Sequence, residues 1–313
     1  MVKIPDIERL PNLHLIYKGE EEAAAAVLQK LRSYLDSAEP ELVYFLVNTW
    51  RHQGKAITYK ELREAILNGD INAELLDEWR QDYSRFVVKH LQSRWEEAIL
   101  EANREREAKY PDWYFNPASD GVQQWTATHS AEFVTSVTDS QIQGLRAVIR
   151  RAAVMQDLNV DQLARAIRPL VGLYDRQAVA NLNYYNKLIE SGMKESKALD
   201  LSIRYAARQH RYRGYLIARQ ELAMAYNTGS YEGIKQAQAK GYMGQVVKIW
   251  CTADDERKCK VCGAMEGAIV GMEEDFDIPD RPVGYRFTKK YPPAHYMCRC
   301  TVLYKEIKPH KSY

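Results

Sequence analysis

The sequence predicts a mainly α-helical fold: an elongated helical body followed by a small C-terminal α+β module. Three observations carry this expectation. Between Glu41 and Ile278 the only prolines are Pro111, Pro117 and Pro169, so long helices are permitted over most of the chain. The last 35 residues hold Pro279, Pro282, Pro292, Pro293 and Pro309, and half of the 16 glycines fall at or after Gly229, which forces turns there. Hydrophobic residues at 46% and charged residues at 27% match a globular chain with an ordinary core rather than a disordered one.

Taken in order, the helix starts carry a local signature. Thr58 with Glu61, Thr138 with Gln141 and Asn159 with Gln162 resemble capping boxes, in which side chains satisfy the free N–H groups of the first turn. Apolar residues at helical spacing follow each: Leu62, Ile66 and Leu67; Ile142, Leu145, Val148 and Ile149; Leu163, Ile167 and Leu170. The segment from Asn72 to about Tyr110 lacks Pro and Gly and repeats Leu76, Trp79, Tyr83, Phe86, Val87, Leu91, Trp95 and Ile99, which predicts one long amphipathic helix.

Tyr110–Val122 reads as a loop and linker. Helices are then expected over Thr138–Ala153, Val160–Val171, Asp175–Glu190, Glu195–Tyr226 and Ser230–Ala239, with Gly172 and Gly192 placed where a helix end wants a positive φ. Strands are expected at Val246–Trp250, Ala268–Val270 and Thr301–Tyr304. The expected division is an N-terminal helical region over 1–115, a helical core over 116–245 and a C-terminal module over 246–313.

Composition excludes several classes of function. No run of 18 apolar residues exists, so no membrane span is expected, and the first residues lack the pattern of a secretory signal. The formal charge is +2, so nucleic-acid binding would have to rest on a local patch. No phosphate-cradling glycine loop and no nucleophile elbow is present.

All five cysteines lie after residue 250: Cys251, Cys259, Cys262, Cys298 and Cys300. An odd number crowded into one corner points to metal ligation rather than a disulfide framework. Cys259 and Cys262 form a C-x2-C pair, and after 32 intervening residues come His295, Cys298 and Cys300. Thiolate and imidazole are good zinc ligands and zinc takes four, so Cys259, Cys262, His295 and Cys298 are the expected set of a closed structural site. Cys298 and Cys300 would face opposite sides of a regular strand, whereas a loop would let both bind, so Cys300 stands as a substitute for His295. Cys251 is expected to be a buried thiol.

A second local feature is basic. Leu201–Gln220 carries Arg204, Arg208, Arg211, Arg213 and Arg219 with no acid, interleaved with Tyr205, His210, Tyr212 and Tyr215. Arginine with aromatics suits phosphate and base-stacking contacts, which makes Arg204, Arg208, Arg211 and Arg213 candidates for DNA or partner contact. The plain alternative is a helix face paired with acidic neighbours.

An ordered set of motifs resembles the phage Mu F-like minor head proteins, a phage head-morphogenesis family. It begins with Thr138-Asp139-Ser140-Gln141-Ile142, Leu145-Arg146 and Asn159-Val160-Asp161-Gln162-Leu163-Ala164. Next comes Ile217-Ala218-Arg219-Gln220-Glu221 with Ala225 and Asn227-Thr228-Gly229, departing at Gln220 where the family usually has Thr. Trp250 to Arg257 with Cys259, Cys262 and Gly267 follows, and Pro292-Pro293-Ala294-His295-Tyr296-Met297-Cys298-Arg299-Cys300 ends the series.

The likeness spans about residues 125–305. It implies a non-enzymatic virion protein made in the host cytoplasm, acting in head assembly at or near the portal and the inner capsid surface. Contact with packaged double-stranded DNA and a part in genome packaging or delivery belong to the same expectation. It implies neither a membrane partner nor a small-molecule substrate. The rival is a metal-dependent nuclease or toxin-like enzyme using Asp254, Asp255, Glu256 and His295 around an open cation site.

Overall fold

The structure is a computed structural model that describes residues 19–71, 73–155, 159–253, 258–279 and 288–307. Its elements are α1 (Glu21–Ala56), α2 (Tyr59–Asn68), α3 (Ala73–Phe86), a π turn (Val87–Leu91), α4 (Gln92–Glu101), α5 (Arg104–Lys109) and α6 (Asp120–Ala153). They continue with α7 (Val160–Ile167), a 3-10 turn (Arg168–Leu170), α8 (Asp175–Glu190), α9 (Glu195–Ala239), β1 (Val246–Cys251), α10 (Lys260–Met265), β2 (Ile269–Gly271) and β3 (Thr301–Glu306). The fold is thus mainly helical with a small C-terminal sheet, as the distribution of Pro and Gly predicts. Among the described residues no helix is long and apolar enough to cross a membrane.

The chain forms two compact units drawn from separated segments: a helical unit of residues 40–93 and 125–218, and a mixed unit of 1–39, 94–124 and 219–313. In the helical unit one apolar core gathers Leu62 and Ile66 of α2, Ile142, Leu145, Val148 and Ile149 of α6, Leu163 and Ile167 of α7, Leu182 and Tyr185 of α8, and Ala198 and Ala206 of α9. Leu67, read with Leu62 and Ile66 as apolar at helical spacing, is 72% exposed. It sits one residue past Ile66, and about 100° of helical rotation carries it out of the apolar stripe.

The capping boxes at Thr58 with Glu61 and at Asn159 with Gln162 form as expected. The third does not. Helix α6 starts at Asp120, so Thr138 is fully buried inside it, and the predicted loop ends earlier. Gln141 is turned to tertiary contacts: its Nε2 donates to Gln53 Oε1 (3.0 Å), and its Oε1 accepts from the Tyr83 hydroxyl. A capping-box spelling inside a helix is a coincidence of residue types, and only burial reveals it.

The single helix expected from Asn72 to Tyr110 is interrupted twice. Tyr83, Val87 and Leu91 recur every four residues and are all buried. An α-helix drifts about 40° over each such step, and the wider π turn at Val87–Leu91 takes up that drift. The second interruption is at Asn103, whose buried amide donates to the Ile99 and Gly229 carbonyls (2.9 Å each) and leads into α5. Leu76 lies among side chains that are not described.

Helix α9 is continuous where a break was expected between Tyr226 and Ser230. Asn227 Nδ2 donates back to the Ala223 carbonyl (2.9 Å) and Thr228 Oγ1 to that of Met224 (2.8 Å), so both polar side chains are satisfied inside the helix. Gly229 is needed for a different reason: a Cβ there would come within 2.6 Å of the Ile99 backbone.

In the mixed unit the three strands form an antiparallel sheet ordered β2-β1-β3, with Ile249 opposite both Ile269 and Leu303, and Cys251 opposite Thr301. Every residue of β1 is buried.

Candidate metal centre

Cys259 and Cys262 are set by α10. Cys259 is its N-cap, with extended backbone, and its Sγ accepts from the Cys262 N–H (3.3 Å). The helical turn that follows brings the second thiol onto the same side as the first. The far end of the chain meets them there: His295 Nε2 lies 3.0 Å from Cys259 Sγ and 2.9 Å from Cys262 Sγ. His295 Nδ1 faces the Tyr296 carbonyl at 2.7 Å, an arrangement in which Nδ1 carries the proton and Nε2 is left free for a cation.

Cys298 and Cys300 reach the same place. The chain turns at His295, where the Cys298 N–H donates to the His295 carbonyl (3.2 Å), and Met297 takes a left-handed φ of 63°. Such backbone in a non-glycine residue persists only where its surroundings impose it. Both cysteines precede β3, so strand alternation does not separate them. Cys262, Cys298 and Cys300 form a buried triad, and Cys259, Cys262 and His295 form a second; within each the donor atoms lie within 4.8 Å of one another. Cys251 is buried apart from them, its Sγ facing the Ile249 carbonyl at 3.5 Å, and burial pushes its thiol up to about 12.

The thiols are in electrostatic conflict. Hydrogen bonding with Cys262, then with Cys300, holds the Cys298 thiol well below its ordinary range. The same contacts raise the partners: Cys262 chiefly through its bond to Cys298, and Cys300 chiefly through its bond to Cys262. Thiols packed this closely resist ionising together. A divalent cation resolves that conflict, because coordination requires thiolates and neutralises them. A tetrahedral zinc with bonds of about 2.3 Å to sulfur spaces its thiolates about 3.8 Å apart. Cys262 and Cys298 are 3.8 Å apart. The cluster thus fits a metal ion of this kind.

The surroundings fix the ligand-bearing segments. Cys262, Cys298 and Cys300 belong to an apolar cluster with Tyr231, Trp250, Met265, Phe276 and Tyr291. Two residues of the Asn227-Thr228-Gly229 stretch hold the second half of the centre. Asn227 Oδ1 accepts from Thr301 Oγ1 (2.8 Å), next to Cys300, and Thr228 Oγ1 meets Tyr291 Oη (3.1 Å), just before the two prolines.

Lys248 of β1 was not singled out from the sequence. Its fully buried ammonium donates to the carbonyls of Glu274 (2.6 Å) and Lys290 (2.9 Å) beside the Tyr231 and Phe276 rings. Burial, reinforced by Lys290, lowers it to about 8. No periodicity announces such a residue; a lysine in an otherwise apolar strand was the available signal. The rival's Asp254, Asp255 and Glu256 lie outside the described residues.

The basic stretch separates into two sets within the helical unit. Arg204, Arg208 and Arg211 are exposed and follow each other by four and three residues, so they share one face of α9. Arg204 pairs with Asp200 (3.0 Å), and Arg208 lies 5.8 Å from the Tyr205 ring centre. Arg213 does not belong with them. It is two residues beyond Arg211, hence on the opposite face, and only 5% exposed. Its guanidinium donates to the Gly172 carbonyl and to Ser140 Oγ (3.0 Å) and lies over the Trp50 ring. Its donors are spent on acceptors inside the unit, so it is unavailable to an outside partner. Arg219 is likewise buried, in the mixed unit, against Glu39 (3.0 Å).

A family model described as Phage Mu protein F like protein matches residues 143–303, just over half of the chain and including all five cysteines and His295. No curated protein and no solved structure matches.

Proposed function

The chain belongs to the phage Mu protein F like family, and on that premise we propose that it is a minor head protein acting in phage head assembly at the portal and inner capsid surface. The family is one of head morphogenesis, structural and generally non-enzymatic, which puts such a protein in the virion. The observation that supports the finer statement is the build of the cysteine–histidine centre. Its donors are sulfur and imidazole, with Cys262, Cys298 and Cys300 buried in an apolar core, Cys259 and His295 half-buried, and no carboxylate in either triad among the described residues. That is the make-up of a closed structural site rather than of one with a place for water or substrate.

Zinc is the proposed ion, held by Cys259, Cys262 and His295 with a further thiolate. Once bound it supplies a four-way cross-link. The chain's residues do the rest: Asn227, Thr228 and Lys248 hold β3 and the segment before His295 against α9 and β1. The result is a rigid terminal module suited to a fixed binding surface.

Packaged double-stranded DNA is the second proposed partner, contacted by Arg204, Arg208 and Arg211. The neighbouring helix α8 supplies the exposed Arg176 and Lys187, and its Tyr184 ring meets Tyr205 at 5.4 Å. A two-helix surface of this kind offers several cations to a phosphate backbone.

The test is assembly. Co-expressed with the portal and major head proteins of its own phage, the chain should sediment with procapsids and in fewer copies than the major head protein. A chain that stays at the top of the gradient, or metal-dependent cleavage of DNA by the purified protein, would overturn the proposal.

A further inference from the structure

The sequence leaves Cys300 as a substitute for His295, but the geometry points to a different contest: we infer that His295 is a committed ligand and that Cys298 and Cys300 compete for a single remaining coordination position. The inference rests on the metal-binding role proposed above.

His295 Nε2 is within 3.0 Å of both Cys259 and Cys262, so those three donors converge as three candidate ligands. A closed zinc site needs four ligands, which leaves one vertex. Cys262 belongs to both triads, and Cys298 and Cys300 lie within 4.8 Å of it and of each other. Each of the two is 3% exposed, so neither is disqualified by pointing into solvent. Two thiolates cannot both fill one vertex while His295 keeps its own. The centre therefore has five donors for four places, and the unbound thiol stays beside the ion as a reserve ligand. The reason lies in the turn at Met297, which puts two cysteines of one C-x-C on the same side of the chain.

The experiment uses the full-length protein, zinc, and a chromophoric chelator in competition. The wild type should bind one zinc per chain. Cys298→Ser and Cys300→Ser should each still bind one, with affinity within about tenfold of wild type, whereas the double variant should lose about a thousandfold or more. Amide protection of β1 and β3 in each loaded variant checks that the module has folded. X-ray absorption of the zinc-loaded wild type needs no variant, and should show three sulfurs and one nitrogen.

A single serine variant that loses zinc as completely as the double would overturn the inference, since that cysteine would then be a dedicated ligand. Four sulfurs around the ion, or two ions per chain sharing Cys262, would overturn it as well. A wild type that binds no zinc would instead remove the metal-binding role on which the inference rests.

Discussion

The core of the helical unit and the core of the C-terminal module are stabilised by different physics. The first is a helix-on-helix interior of Leu, Ile, Val and Ala, in which each buried side chain gains by leaving water. The second places three cysteine thiols among Trp250, Phe276 and Tyr291, and a lysine ammonium in its central strand. Polar groups in such a place are stable only when each is partnered. Lys248 has two carbonyls and the thiols have a cation-shaped arrangement. One core is self-sufficient; the other carries a donor cluster that could hold a metal.

The sharpest way to break this contrast is to withhold the proposed ion. Chelation, or Cys259→Ser with Cys262→Ser, should abolish the cooperative protection of β1–β3, a loss of several kcal/mol and up to about 10. Amide exchange in α7 and α8 should stay unchanged. Equal loss in both regions, or in neither, would end the distinction.

Within the helical unit, packing should dominate. A Cβ at Gly144 would sit 2.1 Å from the Leu173 carbonyl oxygen, which is backbone and cannot swing away. Gly144→Ala should therefore destabilise that unit by about 3 kcal/mol or more, although alanine gains about 1 kcal/mol in helix propensity. Stabilisation in a denaturant titration would show the approach to be looser than it stands.

A smaller effect comes from His210. Its Nε2 meets the Val171 carbonyl at 2.9 Å, and burial lowers its pKa from 6.5 to about 4, with Arg213 and Arg51 adding to the fall. The folded state then binds fewer protons than the unfolded state between those values. Stability from this group is complete above about pH 6.5 and is lost as pH falls toward about 4, by at most about 3 kcal/mol. His210→Gln keeps a donor and should flatten that slope, as read by amide exchange in α9 on either side of this window; an unaltered slope would exclude His210 as its source.

The smallest stability change belongs to the exposed arginines. Arg204→Ala, which breaks a surface pair with Asp200, should alter stability by no more than about 0.5 kcal/mol. The same face should matter for DNA. Replacing Arg204, Arg208 and Arg211 together should lower the salt slope of duplex binding by about 3, one for each phosphate that is no longer neutralised. An unchanged slope would place DNA elsewhere.

Much of this was legible locally. The capping boxes at Thr58 and Asn159, the positive-φ glycines Gly172 and Gly192, and the C-x2-C pair depend on neighbours within a few residues, so a spelling in the sequence is enough. The same spelling at Thr138 and Gln141 failed because Gln53 and Tyr83, both more than fifty residues away, claim the Gln141 side chain. Arg211 and Arg213 look alike in the sequence and differ only by which side of α9 meets the interior.

What the sequence by itself determined is therefore the chemistry: a helical chain, a sulfur and imidazole donor set at its end, and the family to which the ordered motifs belong. Only the tertiary structure decided which donors come within reach of one another, that Asn227 and Thr228 hold the segments around them, that Lys248 is buried beside Tyr231 and Phe276, and which arginines remain at the surface. Local propensity acts over one or two turns, whereas burial and coordination depend on segments brought together from distant parts of the chain. Cys262 and His295 are 33 residues apart in the sequence and 2.9 Å apart in the fold.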